Sequence, residues 1–184
     1  MDVKLFDFCT AEEYFNLPEG SYVELIDGML YDLATPSTKH QRMVTELLTV
    51  INQFIKKNKG DCVVVPAPFS VWLNKNEETV VEPDICVVCD PNKLTERGCE
   101  GAPDWVIEIV SPSNPARDYI IKLKKYLSAG VREYWLVDFD SGLVTVYSGD
   151  LSERFPAVYT LKDKVPAGIY EDFSIDFQEI TAGL

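Results

Sequence analysis

The longest helical pattern of the chain follows Pro36. A helix is predicted from Thr38 to about Asn58, with Gly60 as its stop, and Thr38-x-x-Gln41 predicts a capping box at its start. Apolar residues recur there at helical spacing and predict one broad face that packs against a core. These residues are Val44, Leu47, Leu48, Ile51, Phe54 and Ile55.

Two shorter helices are predicted from terminal signals. Thr10-x-x-Glu13 is a capping-box pattern and predicts a helix over about Ala11–Asn16. Asn114 is a good N-cap, Pro115 suits the first helical position, and the helix that they begin should run to about Ala129 before Gly130. A loop over residues 111–115 would precede it.

Strand patterns occupy most of the remaining chain. Asp27-Gly28 lies between two β-rich runs, Tyr22–Ile26 and Met29–Leu33, which is the strongest short-range signal for a β-hairpin. Further strands are predicted at Cys62–Val65, Phe69–Leu73, Val81–Val88, Trp105–Val110, Glu133–Asp138 and Leu143–Tyr147, with weaker ones at Ala157–Leu161 and Ser174–Phe177.

This order of elements predicts a fold of the α/β (α+β) class. A mixed β-sheet would be flanked by helices, with a β-rich C-terminal tail. No internal repeat or linker divides the chain, so residues 1–184 are predicted to form a single domain.

Composition and charge narrow the classes of function. Lysine and arginine total 17 against 30 aspartates and glutamates, a formal net charge of −13, which disfavours tight contact with a phosphate backbone. No stretch has the length of a membrane helix, and the acidic N-terminus lacks a signal pattern. The odd number of five cysteines forms no disulfide framework, so we expect free cysteines and a cytoplasmic protein. Cys86 and Cys89 would point to opposite faces of a strand and could not share a metal.

Two acids interrupt apolar runs that are typical of strands buried on both faces. Glu108 lies within Trp105–Val110, and Asp84 lies within Val80–Val88, directly after Pro83. Burying an unpaired carboxylate is costly, so a compensating group is expected. The two acids, with the carbonyl of Ile109, could bind Mg²⁺ or Mn²⁺, which prefer oxygen ligands. Alternatively, both acids could be structural and satisfied by basic groups or amides.

Three further polar residues have competing interpretations. Lys122 could stabilise negative charge at a phosphate, or form an ordinary helix-surface pair with Asp118 four residues earlier. Glu24, on the first hairpin strand, would by itself be a half-exposed strand residue. His40, the only histidine, lies in the first turn of the long helix, where a surface or capping role is the default.

Several of these motifs together closely resemble the Uma family of predicted restriction endonucleases, which belongs to the PD-(D/E)XK superfamily and was long described only as a domain of unknown function. The resemblance spans about Thr10 to Tyr147. It rests on Glu24-Leu-Ile-Asp27-Gly28, Ser37-x-x-His40-Gln41, Pro83-Asp84, Glu108-Ile-Val-Ser-Pro-Ser113, Lys122-Leu-x-x-Tyr126 and Gly130-Val-x-Glu133-Tyr-Trp-x-Val-Asp138.

The resemblance implies a restriction-endonuclease-like core and a set of active-site residues. Asp84 and Glu108 would be the catalytic acids, and Glu24 a supporting acid. The wider superfamily has a lysine two residues after the second acid, where this chain has Val110. Lys122 matches the Uma pattern and would replace that lysine from the following helix. His40 also matches, without a role that we can derive.

The leading hypothesis is therefore a Mg²⁺- or Mn²⁺-dependent endonuclease that hydrolyses DNA. Many proteins of this fold pair, so a homodimer is expected by analogy. The main alternative is a catalytically silent nuclease-fold module for binding or assembly, whose acids pair with Lys122. A glycosidase that uses the two carboxylates is a third, weaker alternative.

Overall fold

Two mixed β-sheets and a few helices make up the described part of the chain. The computed structural model describes residues 8–75, 77–111, 117–149 and 155–184, with only the backbone described at 117–118. The α-helices are Ala11–Phe15 (α1), Thr38–Lys57 (α2), Leu123–Ala129 (α3) and Phe177–Thr181 (α4); a 3₁₀ turn spans Pro91–Lys93, and a π-helical segment, Arg117–Lys122, leads into α3.

The strands follow one another along the chain as β1 to β14. They are Val23–Ile26, Met29–Asp32, Val63–Pro66, Val71–Trp72, Val80–Val81, Ile85–Val88, Leu94–Thr95, Gly98–Glu100, Trp105–Ile109, Glu133–Asp138, Leu143–Ser148, Ala157–Thr160, Lys164–Pro166 and Ser174–Asp176. The first sheet has the order β2-β1-β5-β4-β8-β7, the second sheet has the order β12-β11-β10-β9-β6-β3, and β13 pairs with β14. The predicted α/β (α+β) class is therefore confirmed, with two large sheets where one was expected.

The second sheet is buried on both faces, which explains the apolar runs in its central strands. On one face, Leu47 and Ile51 of α2 belong to the same apolar cluster as Trp105 and Ile107 of β9. On the other face, Val106 of β9 belongs to a cluster that includes residues of the first sheet and of α3. A polar side chain on the central strands therefore reaches water only where a strand ends.

Most turn and cap signals have the predicted local effect. The hairpin between β1 and β2 turns at Asp27 and Gly28, both with positive φ (51° and 77°), as a type I′ turn requires. Thr10 and Glu13 form the predicted capping box at α1. Gly130, with φ of 92°, ends α3, as predicted. Asn114 and Pro115, predicted to begin this helix, lie outside the described residues.

The cap assigned to the long helix is wrong by one residue. Ser37, not Thr38, is the N-cap of α2, and its hydroxyl accepts a hydrogen bond from the amide of His40 at 3.1 Å. The capping box with Gln41 therefore does not form, since the position three residues after the cap is His40. At the other end Lys59 takes the positive φ that was expected near Gly60.

The run predicted as one strand over Val81–Val88 is divided between the two sheets. Val80–Val81 is β5 of the first sheet and Ile85–Val88 is β6 of the second. Pro83 lies at the break, because a proline nitrogen cannot donate to a strand ladder. Asp84 therefore lies where the chain passes from one sheet to the other, directly before β6.

The expectation that the cysteines are free is wrong for one pair. Cys62 and Cys89 form a disulfide, whereas Cys9, Cys86 and Cys99 are free and buried. Val63 pairs with Val88 in antiparallel register, so the next positions outward, Cys62 and Cys89, face each other. The spacing of the cysteines along the chain does not reveal this register. Within the described ranges, no helix has the length and apolar character needed to cross a membrane.

Candidate active site

Asp84 lies directly before β6, and Glu108 lies within β9, the strand that pairs with β6. Ile85 of β6 pairs with Ile107 of β9 in antiparallel register, so one step further along the ladder places Asp84 opposite Glu108. Side chains at opposing positions of an antiparallel pair have Cβ atoms about 5 Å apart. The register therefore brings these two positions opposite each other, and both side chains line the same pocket.

Asp84 is fixed by two hydrogen-bonding groups. Its Oδ2 accepts from the amide of Ile109 at 2.7 Å and lies 3.2 Å from Nε2 of His40. The Asp84 side chain is 18% exposed and therefore still reaches solvent. Burial acts to lower the pKa of His40, but the hydrogen bond and the charge of Asp84 outweigh it and raise that pKa above its ordinary value.

Glu108 is more deeply buried, and two neighbouring groups donate to the same oxygen of its carboxylate. Its Oε1 accepts from Nζ of Lys122 at 3.0 Å and from the hydroxyl of Tyr126 at 2.8 Å. Burial, followed by the charges of Glu108 and Glu24, raises the pKa of Tyr126 well above its ordinary range. Tyr126 therefore stays a hydrogen-bond donor to the carboxylate.

Lys122 joins two buried acids, so the surface-pair interpretation is wrong for its position. Its Nζ lies 2.7 Å from Oε1 of Glu24 and 3.0 Å from Oε1 of Glu108, and its side chain is 4% exposed. The side chain of Asp118 lies outside the described residues. A lysine this deep in the protein carries a desolvation cost that its two carboxylates compensate.

Glu24 is fully buried, which corrects the expectation of a half-exposed strand residue. Its strand, β1, lies between β2 and β5 in the first sheet, so Glu24 is not at an edge. Oε1 accepts from the amide of Glu82 at 2.9 Å as well as from Lys122. Oε2 is buried and has no hydrogen-bond partner among the described residues. Such an unpaired buried oxygen is unusual in a folded protein.

A pocket of about 520 Å³ opens over these groups. Its lining includes His40, Glu82, Asp84, Glu108, Ile109 and Lys122. Burial and the charge of Glu24 raise the pKa of Glu82 against the opposing hydrogen bonds from its neighbours. The predicted residues Asp84, Glu108, Ile109 and Lys122 thus share one cavity, and Glu24 supports it from beneath through Lys122.

Sequence reasoning assigned no role to two residues of this pocket. His40 contacts Asp84 because the first turn of α2 reaches the start of β6, although the two residues are 44 positions apart in sequence. In the sequence, the feature that pointed to His40 was its match to the family pattern. Glu82 lies in the same apolar run as Asp84. The structure breaks this run between the two sheets and places both acids in the lining of the cavity.

The oxygen donors available here are few. No group of three His, Cys, Asp or Glu side chains is placed to hold a metal ion within the part of the chain that the structure describes. The available set is two carboxylates, Asp84 and Glu108, with the neighbouring carbonyl of Ile109. Such hard oxygen donors suit Mg²⁺ or Mn²⁺, which keep several waters and take the rest of their ligands from substrate.

Comparison with known proteins gives concordant matches. The family Uma2, described as "Putative restriction endonuclease", matches residues 11–174. The "Uncharacterized protein slr1290" of Synechocystis is 26% identical over 145 residues, which cover 77% of this chain and 75% of that protein. A crystal structure of "a putative nuclease belonging to DUF820" from Anabaena variabilis aligns with a TM-score of 0.77 at 23% identity, covering 94% of this chain and 97% of the other.

Proposed function

Because the chain belongs to the Uma2 family, whose description is "Putative restriction endonuclease", we propose that it is a metal-dependent endonuclease that hydrolyses phosphodiester bonds in DNA. The family description and the fold shared with the solved structure of a "putative nuclease" support nuclease function at a general level. The observation that carries the specific proposal is the placement of Asp84 opposite Glu108, with Lys122 on the same carboxylate, in one pocket.

The donor chemistry of the pocket fits a divalent cation. Asp84 and Glu108 would hold it together with the carbonyl of Ile109. Glu24 would act from behind, because its charge fixes Lys122 and its unpaired Oε2 could accept from a buried water. When bound, the cation supplies Lewis-acid stabilisation of the phosphate and lowers the pKa of water in the site.

The residues of the chain have distinct tasks in the proposed hydrolysis. Water attacks phosphorus, one P–O ester bond breaks, and the products are a phosphomonoester and an alcohol. Lys122, held by two acids, places its positive charge beside Glu108 and offsets the negative charge that grows on the phosphate. His40 and the amide of Ile109 both bind Oδ2 and fix the rotamer of Asp84, so Oδ1 would be the oxygen available to a cation.

One observation favours the alternative of a catalytically silent nuclease fold. Lys122 already forms ion pairs with both Glu24 and Glu108, and the described residues include no group of three His, Cys, Asp or Glu side chains placed to hold a metal ion. These ion pairs compensate part of the buried negative charge by themselves. The net charge of −13 points in the same direction, since it opposes nonspecific DNA binding.

The direct test is a cleavage assay on purified protein with circular, linear and single-stranded DNA. We expect cleavage with millimolar Mg²⁺ or Mn²⁺, none with a chelator, and none from the double variant Asp84→Ala/Glu108→Ala. The control is Glu12→Ala/Glu100→Ala, which removes two acids that pair with Arg97 and Lys75 outside the pocket. Activity that persists in the Asp84/Glu108 variant would refute the assignment, and inactivity of the wild type on every DNA would favour the silent module.

A further inference from the structure

The acids lie too deep for a phosphate that stays on the surface of a duplex. The side chains of Asp84 and Glu108 are only 18% and 4% exposed, so the scissile phosphate must enter the cavity to reach them. A cavity of about 520 Å³ is the size that accommodates a single small molecule. A paired nucleotide would have to leave its stack to enter it, at a cost in free energy that an unpaired nucleotide avoids.

Two aromatic side chains line the same cavity. Tyr22 is 42% exposed and lines the pocket together with Glu82 and Asp84. Phe139 is partly buried, and Nζ of Lys39 lies over its ring, 4.0 Å from the ring centroid. Unpaired bases stack on aromatic rings of this kind with little dependence on sequence.

The charges around the cavity do not favour a long phosphate backbone. Its lining contains two lysines, of which Lys122 already contacts the carboxylates of Glu24 and Glu108. Within the described residues, Lys39 has no carboxylate partner. The acids of the lining are Asp32, Glu82, Asp84, Glu108 and Asp140. Duplex binding draws most of its affinity from many phosphate contacts with lysine and arginine, and this surface offers few.

From these three observations we infer that the pocket binds one unpaired nucleotide, with its base against Tyr22 or Phe139 and its phosphate near Lys39, so that the substrate is single-stranded DNA rather than intact duplex. The inference rests on the proposed nuclease function for its chemistry. Its binding component depends only on the shape, the rings and the charges of the pocket.

Fluorescence anisotropy with end-labelled DNA tests the binding component. The probes are a single-stranded oligonucleotide and the same sequence closed into a blunt hairpin duplex, both in Ca²⁺, with cleavage of each measured separately in Mn²⁺. We expect the single strand to bind more tightly and to be cut faster. At least one of Tyr22→Leu and Phe139→Leu should weaken its binding by roughly 5- to 150-fold, the range for loss of one stacked base. Lys39→Gln should reduce the slope of log affinity against log salt concentration by about 1, the value for loss of one phosphate contact.

Phe155→Leu is the matched control, because Phe155 is 98% exposed and does not line the pocket; its affinity for the single strand should equal that of the wild type. Equal binding and cleavage of duplex and single strand would overturn the inference and leave the nuclease proposal intact. Aromatic variants indistinguishable from Phe155→Leu would also overturn it. Tight, ring-dependent binding of the single strand without cleavage in Mn²⁺ would support the unpaired-nucleotide pocket and refute the nuclease. Failure to bind either probe would overturn the inference.

Discussion

Asp84→Asn and Glu108→Gln are each expected to reduce DNA cleavage by roughly 10²- to 10³-fold or more while the protein stays folded. Asn can still accept the hydrogen bond from the amide of Ile109, and Gln can still accept from Lys122 and Tyr126 through its carbonyl oxygen. Each variant therefore removes one negative charge from the site and little of its packing. The measurement is the cleavage rate at saturating Mn²⁺, with circular dichroism to establish folding.

Glu100→Gln serves as the control for this pair. Glu100 forms an ion pair with Lys75 and lies outside the pocket, so its loss should leave the cleavage rate within about twofold of wild type, as for an exposed pair worth less than 1 kcal/mol. A wild-type rate in either Asp84→Asn or Glu108→Gln would exclude that acid from the reaction, whatever the behaviour of the double alanine variant.

Lys122→Met is expected to destabilise the metal-free protein by about 3–5 kcal/mol, the usual cost of removing one partner from a buried ion pair. The change leaves Glu24 and Glu108 buried at 0% and 4% side-chain exposure without the cation that both contact. The free energy of unfolding is measured by urea denaturation in the presence of a chelator. Addition of Mn²⁺ should recover part of the loss, because a cation bound only to the folded state stabilises it.

Lys125→Met provides a matched lysine three residues later. Lys125 also contacts two acids, Asp27 and Glu77, but these are 66% and 39% exposed, so its pairs are screened by water. We expect a loss of no more than about 1 kcal/mol. If Lys122→Met lowered the free energy of unfolding no more than Lys125→Met, the buried ion pairs of Lys122 with Glu24 and Glu108 would not contribute the stability that we predict.

The features that the sequence predicted correctly depend on neighbours in the chain. The type I′ turn at Asp27-Gly28 and the capping box of Thr10 and Glu13 involve residues within a few positions of each other. Glu108 was identifiable because an acid within a strand buried on both faces is conspicuous without knowledge of the partner strands.

The features that were missed depend on contacts between distant segments. Glu24 is buried because β5 pairs with β1 on the side opposite to β2, and Val80 is 55 residues from its partner Leu25. Cys62 meets Cys89 only through the register of β3 and β6. The break at Pro83 assigns one apolar run to two sheets, a choice that hydrophobicity alone does not make.

The family resemblance linked Glu24 and Lys122 to the site before any geometry was known, whereas periodicity alone favoured surface roles for both. The structure gives the physical basis of that link, because one ammonium group contacts both Glu24 and Glu108. His40 shows where pattern reasoning ends: its position matched the family, but only the folded chain brings its ring to Asp84.

The central claim is that Asp84 and Glu108 together bind a divalent cation. Calorimetric titration of Mn²⁺ into metal-free wild type, Asp84→Asn and Glu100→Gln measures this without reference to any substrate. We predict saturable heat and a raised melting temperature for the wild type and Glu100→Gln, and loss of both for Asp84→Asn. Absence of heat at millimolar Mn²⁺ with an unchanged melting temperature, or identical binding by Asp84→Asn, would contradict the metal site.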